Sequence, residues 1–417
     1  MEMLPQIERA AFQPKAPHNI KDTGISQGLI LDLLLRQAFF EGIVTLGKLS
    51  ELSKLSPTIV HWVYRYLLKE QLCDTRAMVG NDYEISLTSR GRSMAEVALK
   101  KGQYAGPAPV SLKDYNESVS KQGVRVSLTA ASMRSALNDL VLPEHVIRSL
   151  GAALVTGGAI LLYGPTGNGK TSIAERLHRI FDDFVYIPYA VEVSGQILTV
   201  FDPLLHAAAE EQPQVDSRWV LCRRPMVKVG GEMRAEMLEP MVDEVTRICA
   251  APLQMKANTG ILLIDDFGRQ RITPRELLNR WIVPLDRRTD VLSLWSGVSF
   301  EMPFEVLVVF ATNLALSDLA EEAFMRRLKH KIKIDALGAD LFKNLVQKVF
   351  QRENIPCTAE TEEYMAQQCG KYSPEGLRAC FPHDIAEIIC GTAIFEQRKP
   401  TLSQEDIERA LSVYFAH

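Results

Sequence analysis

The sequence contains no CxxC pair, no internal repeat, no low-complexity tract and no excess of charge of either sign. Its seven cysteines are odd in number and scattered, which excludes a full disulfide framework and fits a reducing compartment. Cys369, Cys380 and Cys390 do fall near His383, but their spacing matches no standard zinc module, so they read as buried helix cysteines. A net charge of −4 provides no global basic field to draw in nucleic acid or an acidic membrane. The opening residues, MEMLPQIERAAFQPKAPHN, have no apolar core segment. No secretory signal is therefore expected, and the expected location is cytoplasmic. One uncharged stretch of bilayer length, residues 149–169, carries six glycines. It reads as helix end, turn, strand and loop, so no membrane span is expected.

What is present is an ordinary globular composition, 47% hydrophobic and 24% charged over 417 residues, enough for two or three domains with full cores. Residues 1–27 are rich in proline and polar side chains and are expected to be loose. Residues 28–105 read as helix, strand, helix, helix, strand, strand and closing helix, the order of a winged-helix domain. In it, SPTIVHWVYRYLLKEQL starts with Ser56 as cap and Pro57 at the first helical position. Trp62, Val63, Tyr66 and Leu67 are expected in the core of that domain. Residues 106–124 open with GPAPVSL and read as a stiff linker. Residues 125–335 alternate strand and helix, with AILLY, FVYIPY, ILLIDDF and VLVVFATN as strands. Continuous apolar runs of this kind suit parallel strands buried on both faces. Residues 336–417 read as a small helical lid. The fold class is thus α/β, with a parallel-sheet core between a winged-helix domain and a helical lid.

Within the core, Gly164, Pro165, Thr166, Gly167, Asn168, Gly169, Lys170 and Thr171, followed by Ser172, match the pattern GxxxxGK(S/T) without a mismatch. Glycines let successive backbone N–H groups turn inward around phosphate oxygens. A following helix offers its positive end to the same anion. In this pattern the lysine reaches the β- and γ-phosphates of a nucleotide and the threonine hydroxyl holds Mg²⁺. The apolar run ILLIDD then supplies the acids such a loop requires. Asp265 is placed to fix Mg²⁺ through its water shell, and Asp266 to orient an attacking water. ATP and Mg²⁺ are the ligands expected, and this chain is read as a P-loop NTPase.

Four features, GPTGNGKT, ILLIDD, VVFATN and AFMRRLKHKI, make residues 125–417 resemble the AAA+ ATPases. The resemblance implies ATP hydrolysis in a homo-oligomeric ring, expected to be a hexamer. It implies that Asn313 senses the γ-phosphate, and that Arg326 or Arg327 enters the neighbouring subunit's site as an arginine finger. The arginine that opens the lid in this family has two candidates here, Arg378 and His383. Two segments look additional, VEVSGQILTVF and RWVLCRRPMVKVGGEM. They read either as hairpins of the kind that line a ring pore in some AAA+ groups or as a sheet extension. The whole arrangement is similar to a bacterial AAA+ group described as chaperone-like and linked to pilus assembly or secretion.

That likeness implies a protein client that the ring remodels or assembles. A DNA-binding ATPase of transcription or replication is the alternative, with the winged helix as reader. Its exposed candidates are His61, Arg65, Lys69 and Gln71, with Arg90 and Arg92 nearby. Across residues 1–110 there are 13 Lys and Arg against 11 Asp and Glu, a weak footprint for DNA, so protein docking is favoured. A weakly hydrolysing, nucleotide-switched scaffold is the third reading, because Asp266 stands where many related ATPases carry the longer Glu.

Overall fold

The hydroxyl of Ser26 accepts from the Leu29 amide and starts the first long helix, α1 (Gln27–Glu41), which ends at Gly42 with φ +75°. In the computed structural model, which describes residues 12–124, 128–319 and 325–415, this helix leads a small N-terminal domain. It continues through β1 (Ile43–Thr45), α2 (Leu46–Ser53), α3 (Pro57–Lys69), β2 (Cys73–Val79), β3 (Asp82–Leu87) and α4 (Ser89–Lys101). The three strands form one antiparallel sheet in the order β1-β3-β2, and the element order is the one expected from the sequence. One detail differs. The buried stripe of α3 is Ile59, Val60, Val63, Tyr64 and Leu67. Trp62 is exposed, with its ring stacked on Tyr66, one face round from the core. The reason is the helical period: positions 59, 60, 63, 64 and 67 share a face that 62 and 66 flank.

The chain continues through β4 (Val110–Ser111), α5 (Leu112–Lys121), α6 (Glu144–Thr156), β5 (Ile160–Tyr163), α7 (Lys170–Arg176), β6 (Phe184–Pro188), β7 (Ala190–Val193) and β8 (Gln196–Thr199). Then come β9 (Trp219–Arg223), β10 (Met226–Val229), β11 (Met241–Val242), β12 (Cys249–Ala250), β13 (Ile261–Ile264), β14 (Thr289–Ser293), β15 (Ser299–Pro303), β16 (Leu307–Thr312) and β17 (His330–Lys333). Five of these make a parallel sheet in the order β10-β13-β16-β5-β17. With the loop-bearing strand β5 counted first, that is the spatial order 5-1-4-3-2. The fold is α/β, a P-loop NTPase sheet followed by a C-terminal helical region. Residues 261–264 and 307–312 are buried throughout, as two-sided packing of parallel strands demands. The C-terminal helices are α8 (Ala339–Arg352), α9 (Ala359–Tyr372), α10 (Phe381–Phe395) and α11 (Gln404–Tyr414), and they close on a core of their own. Among the described residues no helix is long and apolar enough to cross a membrane.

The strand FVYIPY is not in that sheet. It is β6, and it pairs antiparallel with β9. The second core strand is β10, from the segment that looked additional. The other additional segment does form a hairpin, β7–β8, turning at Ser194 and Gly195. Its strands extend a sheet of order β11-β12-β8-β7-β4, so both segments are sheet rather than free-standing pore hairpins. Strand β4 belongs to the expected linker. The segment does not hang between domains, because pairing with β7 knits it into the core region.

The stretch expected to be a loose lead is also held. Phe12 packs on Tyr186 and Trp219. Arg218 is buried and forms an ion pair with Asp216 at 2.8 Å. Its Nη1 donates to the carbonyls of Thr23 (3.1 Å) and Pro109 (3.0 Å), joining the N-terminal segment and the linker to the core. Arg218→Met leaves a buried carboxylate and two carbonyls without their donor. The expected cost is about 3–5 kcal/mol, read from urea unfolding. A loss no larger than that of an exposed substitution would show that this junction does not hold the domains.

Candidate functional site

The glycine-rich loop leaves β5 and runs into α7. Gly164, Gly167 and Gly169 have φ of +136°, +78° and +77°, a backbone that side chains rarely adopt. At Gly164 a Cβ would also collide with the carbonyl oxygen of Ile334, just beyond β17. At Gly167 it would lie 2.7 Å from the Cys380 sulfur. The loop therefore has bare backbone on two sides because the lid's entry strand and its third helix press against it. The Cys380 amide donates to the Gly167 carbonyl at 2.8 Å, and the Ala379 amide to the Asn168 side chain at 3.4 Å.

Lys170 is largely buried and donates to the carbonyls of Gly164 (2.9 Å) and Pro165 (2.7 Å). Burial pulls its ammonium below the usual lysine value, while Asp266 and Asp265 pull it back up. The Thr171 hydroxyl donates to Asp265 Oδ1 at 2.8 Å. The other oxygen of Asp265 faces Lys228 at 3.3 Å, and Lys228 is also 2.9 Å from Glu175. Asp266 is exposed and held at φ +50°. Asn313 follows β16.

One cavity of about 650 Å³ brings these residues together. Thr166, Gly167, Asn168, Gly169, Lys170, Thr171 and Ser172 line one side, with Asp265, Asp266 and Asn313. Residues 139–143, His145, Val146 and the lid, including Arg352 and His383, line the other. Of the buried side-chain atoms without a hydrogen-bond partner, two belong to residues that line this cavity, Asn313 Oδ1 and Asn168 Nδ2, and Arg378 Nε lies next to its lining residue Ala379. A buried amide left without a partner on a cavity wall has hydrogen-bonding capacity to offer a ligand there. The cavity, the bare loop and these orphaned atoms fit a nucleotide. The pairing of Thr171 with Asp265 fits a hydrated divalent ion, which oxygen donors of this kind hold.

Arg378 reaches Thr166 at 3.4 Å and pairs with Glu375, whereas His383 lines the cavity. Both lid candidates therefore stand at the loop. Arg326 and Arg327 do not line the cavity, and Arg327 pairs with Asp286 at 2.9 Å. Ala323 and Phe324 of the fourth motif lie outside the described residues. Lys228, Arg176 and Asp139 were missed as site residues by sequence reasoning. Lys228 becomes visible only once β10 is known to lie beside β13, which no local pattern reveals.

A family model described as a domain of unknown function, DUF8689, matches residues 338–413, the helical region. No curated protein matches the chain. Among solved structures, the Thermotoga maritima RuvB Holliday junction branch migration motor is 14% identical with a TM-score of 0.38, covering 68% of this chain and 73% of that one. A RuvB mutant gives 12% identity and a TM-score of 0.40, covering 66% and 71%. NtrX from Brucella abortus gives 14% and 0.38, covering 77% of this chain and 60% of its own. These likenesses are loose, and the assignment of fold rests on the strand order and the loop.

Gly164→Ala tests the close approach of loop and lid strand. Its positive φ and the clash with Ile334 are expected to cost about 1–3 kcal/mol of stability, with faster proteolysis of the lid. Stability and proteolysis equal to those of the parent chain would contradict the contact.

Proposed function

We propose that this chain is an Mg²⁺-dependent ATP hydrolase of the AAA+ type, working as a ring that remodels or assembles a protein client. The observation that carries the reading is the convergence of Lys170, the Thr171–Asp265 pair and the orphaned Asn313 on one cavity beneath the lid. In this reading the loop amides and Lys170 hold the phosphates. Lys170 exchanges its two carbonyl partners for phosphate oxygens, which a charge-assisted contact favours. Thr171 and Asp265 hold Mg²⁺, which would neutralise phosphate charge. Asp266 orients the attacking water, and Asn313 contacts the γ-phosphate or that water. Arg378 or His383 carries the state of the nucleotide into the lid.

Arg326 and Arg327 stand outside the cavity of their own chain. That supports a role in the site of the next subunit, where an arginine stabilises charge in the transition state. Protein rather than DNA is the favoured partner of the N-terminal domain. Trp62, Met78 and Val79 are exposed there beside Arg65, Lys69 and Arg76, a mixed surface, whereas a DNA-reading face is expected to be strongly basic.

Lys170→Ala is expected to weaken ATP binding by about 1.5–3 kcal/mol, roughly 10- to 150-fold, measured by calorimetry on the folded variant. Unchanged affinity would remove the phosphate-loop assignment. Asp266→Asn is expected to bind ATP normally and lose about 10²–10⁴ in kcat, whereas Asp265→Asn should raise the Mg²⁺ requirement. Equal effects on metal dependence from both would show that the roles are misassigned. One of Arg326→Ala and Arg327→Ala should bind ATP and lose roughly 10³-fold or more in turnover. Mixing that variant with Lys170→Ala subunits should restore activity, since one brings the loop and the other the finger. Mixed rings that form and stay inactive would count against a finger acting between subunits.

A further inference from the structure

A second cavity, of about 760 Å³, opens between the N-terminal domain and the sheet of β7, β8, β11 and β12, and it includes no residue assigned to the nucleotide. On its wall Arg36 is only 4% exposed. Its Nε donates to the Asp32 carbonyl at 3.1 Å and its Nη1 to the Gly102 carbonyl at 2.6 Å. Among the described residues no carboxylate lies within ion-pair distance of this guanidinium. The one acid on the wall, Asp32, presents its carboxylate to Lys101 at 2.8 Å. Buried charges are normally neutralised by a partner, and carbonyl dipoles supply only part of that. Tying the helix to Gly102 uses Nε and Nη1 and leaves Nη2 over.

Lys100 and Arg247 add two more cations to the wall, and neither makes an ion pair among the described residues. Arg247 holds φ +54° and lies with its guanidinium carbon 5.3 Å from the centre of the Trp295 ring. Trp295 is 73% exposed at the tip of the β14–β15 hairpin. Gly102 joins the two halves: a Cβ there would meet the Arg247 carbonyl at 3.3 Å and Arg36 Nη1 at 3.9 Å. Three cations that form no ion pair among the described residues, Arg36 being only partly compensated by the Asp32 charge, and an exposed indole around a ligand-sized cavity match the chemistry of a flat ring bearing phosphate. We propose that this cleft is a second ligand site, taking a phosphorylated aromatic compound of the mononucleotide class, with phosphate on Arg36 and the ring against Trp295. The proposal does not depend on hydrolysis at the first site.

The test uses the full-length Lys170→Ala chain, in which the phosphate loop is disabled, and AMP as the probe in calorimetry and tryptophan fluorescence. Saturable binding at millimolar AMP is expected, with quenching that disappears in Trp295→Phe. Arg36→Gln and the exposed Arg247→Ala should each weaken binding roughly tenfold or more. Inorganic phosphate should compete, but more weakly than AMP. The proposal is overturned if AMP does not bind, if binding is indifferent to Arg247→Ala and Trp295→Phe, or if phosphate binds as tightly as AMP.

Discussion

The lid of this molecule touches the phosphate loop at both ends, and most of the site's geometry follows from that clamp. The entry strand β17 lies beside β5, and just past it the Ile334 amide donates to the Tyr163 carbonyl at 2.8 Å. This brings Ile334 so close that position 164 tolerates only hydrogen as its side chain. Forty-six residues later the chain returns, and Cys380 caps the carbonyl of Gly167. The helices on both sides of this second contact share one apolar core, from Leu337 to Leu411. The loop and the lid are thus joined by the backbone bond from Cys380 to Gly167 and by the side-chain contacts of Arg378 with Thr166 and of Asn168 with the Ala379 amide.

A second rigid connection runs the other way. The N-terminal domain is joined to the core by a paired strand, by Arg218, whose Nη1 donates to the Thr23 and Pro109 carbonyls, and by a hydrogen bond from the Gln103 amide to the Thr246 carbonyl. A stiff linker alone would let that domain tumble. Here Arg218, held in place by its ion pair with Asp216, also donates to the N-terminal segment and the linker, so removing it leaves a buried carboxylate uncompensated.

Much of this was legible in the sequence, because the phosphate loop and its partner acids are local. Thr166 through Ser172, Asp265 and Asp266 follow from spacing and Asn313 from the family resemblance, and they meet in one cavity. The lid and the parallel sheet were legible too, from helical periodicity and from unbroken apolar runs. What misled was pairing. FVYIPY reads as a core strand because its residues are buried on both faces, yet its partner is β9 and not the loop-bearing strand. An apolar run records burial and carries no information on its neighbour. Trp62, expected in the core, is 43% exposed because its helical phase turns it away from the buried stripe. Lys228 and Arg36 were illegible for a related reason, since each gains its meaning from a residue far along the chain.

The central claim is that nucleotide binds between the loop and the lid and engages both. Amide hydrogen exchange with and without Mg²⁺-ATP tests it directly, on Asp266→Asn so that the nucleotide persists. Peptides spanning residues 164–172 and 376–386 should both gain protection, with little change in residues 28–60. Protection confined to the loop, or absent from both segments at saturating nucleotide, would contradict the account.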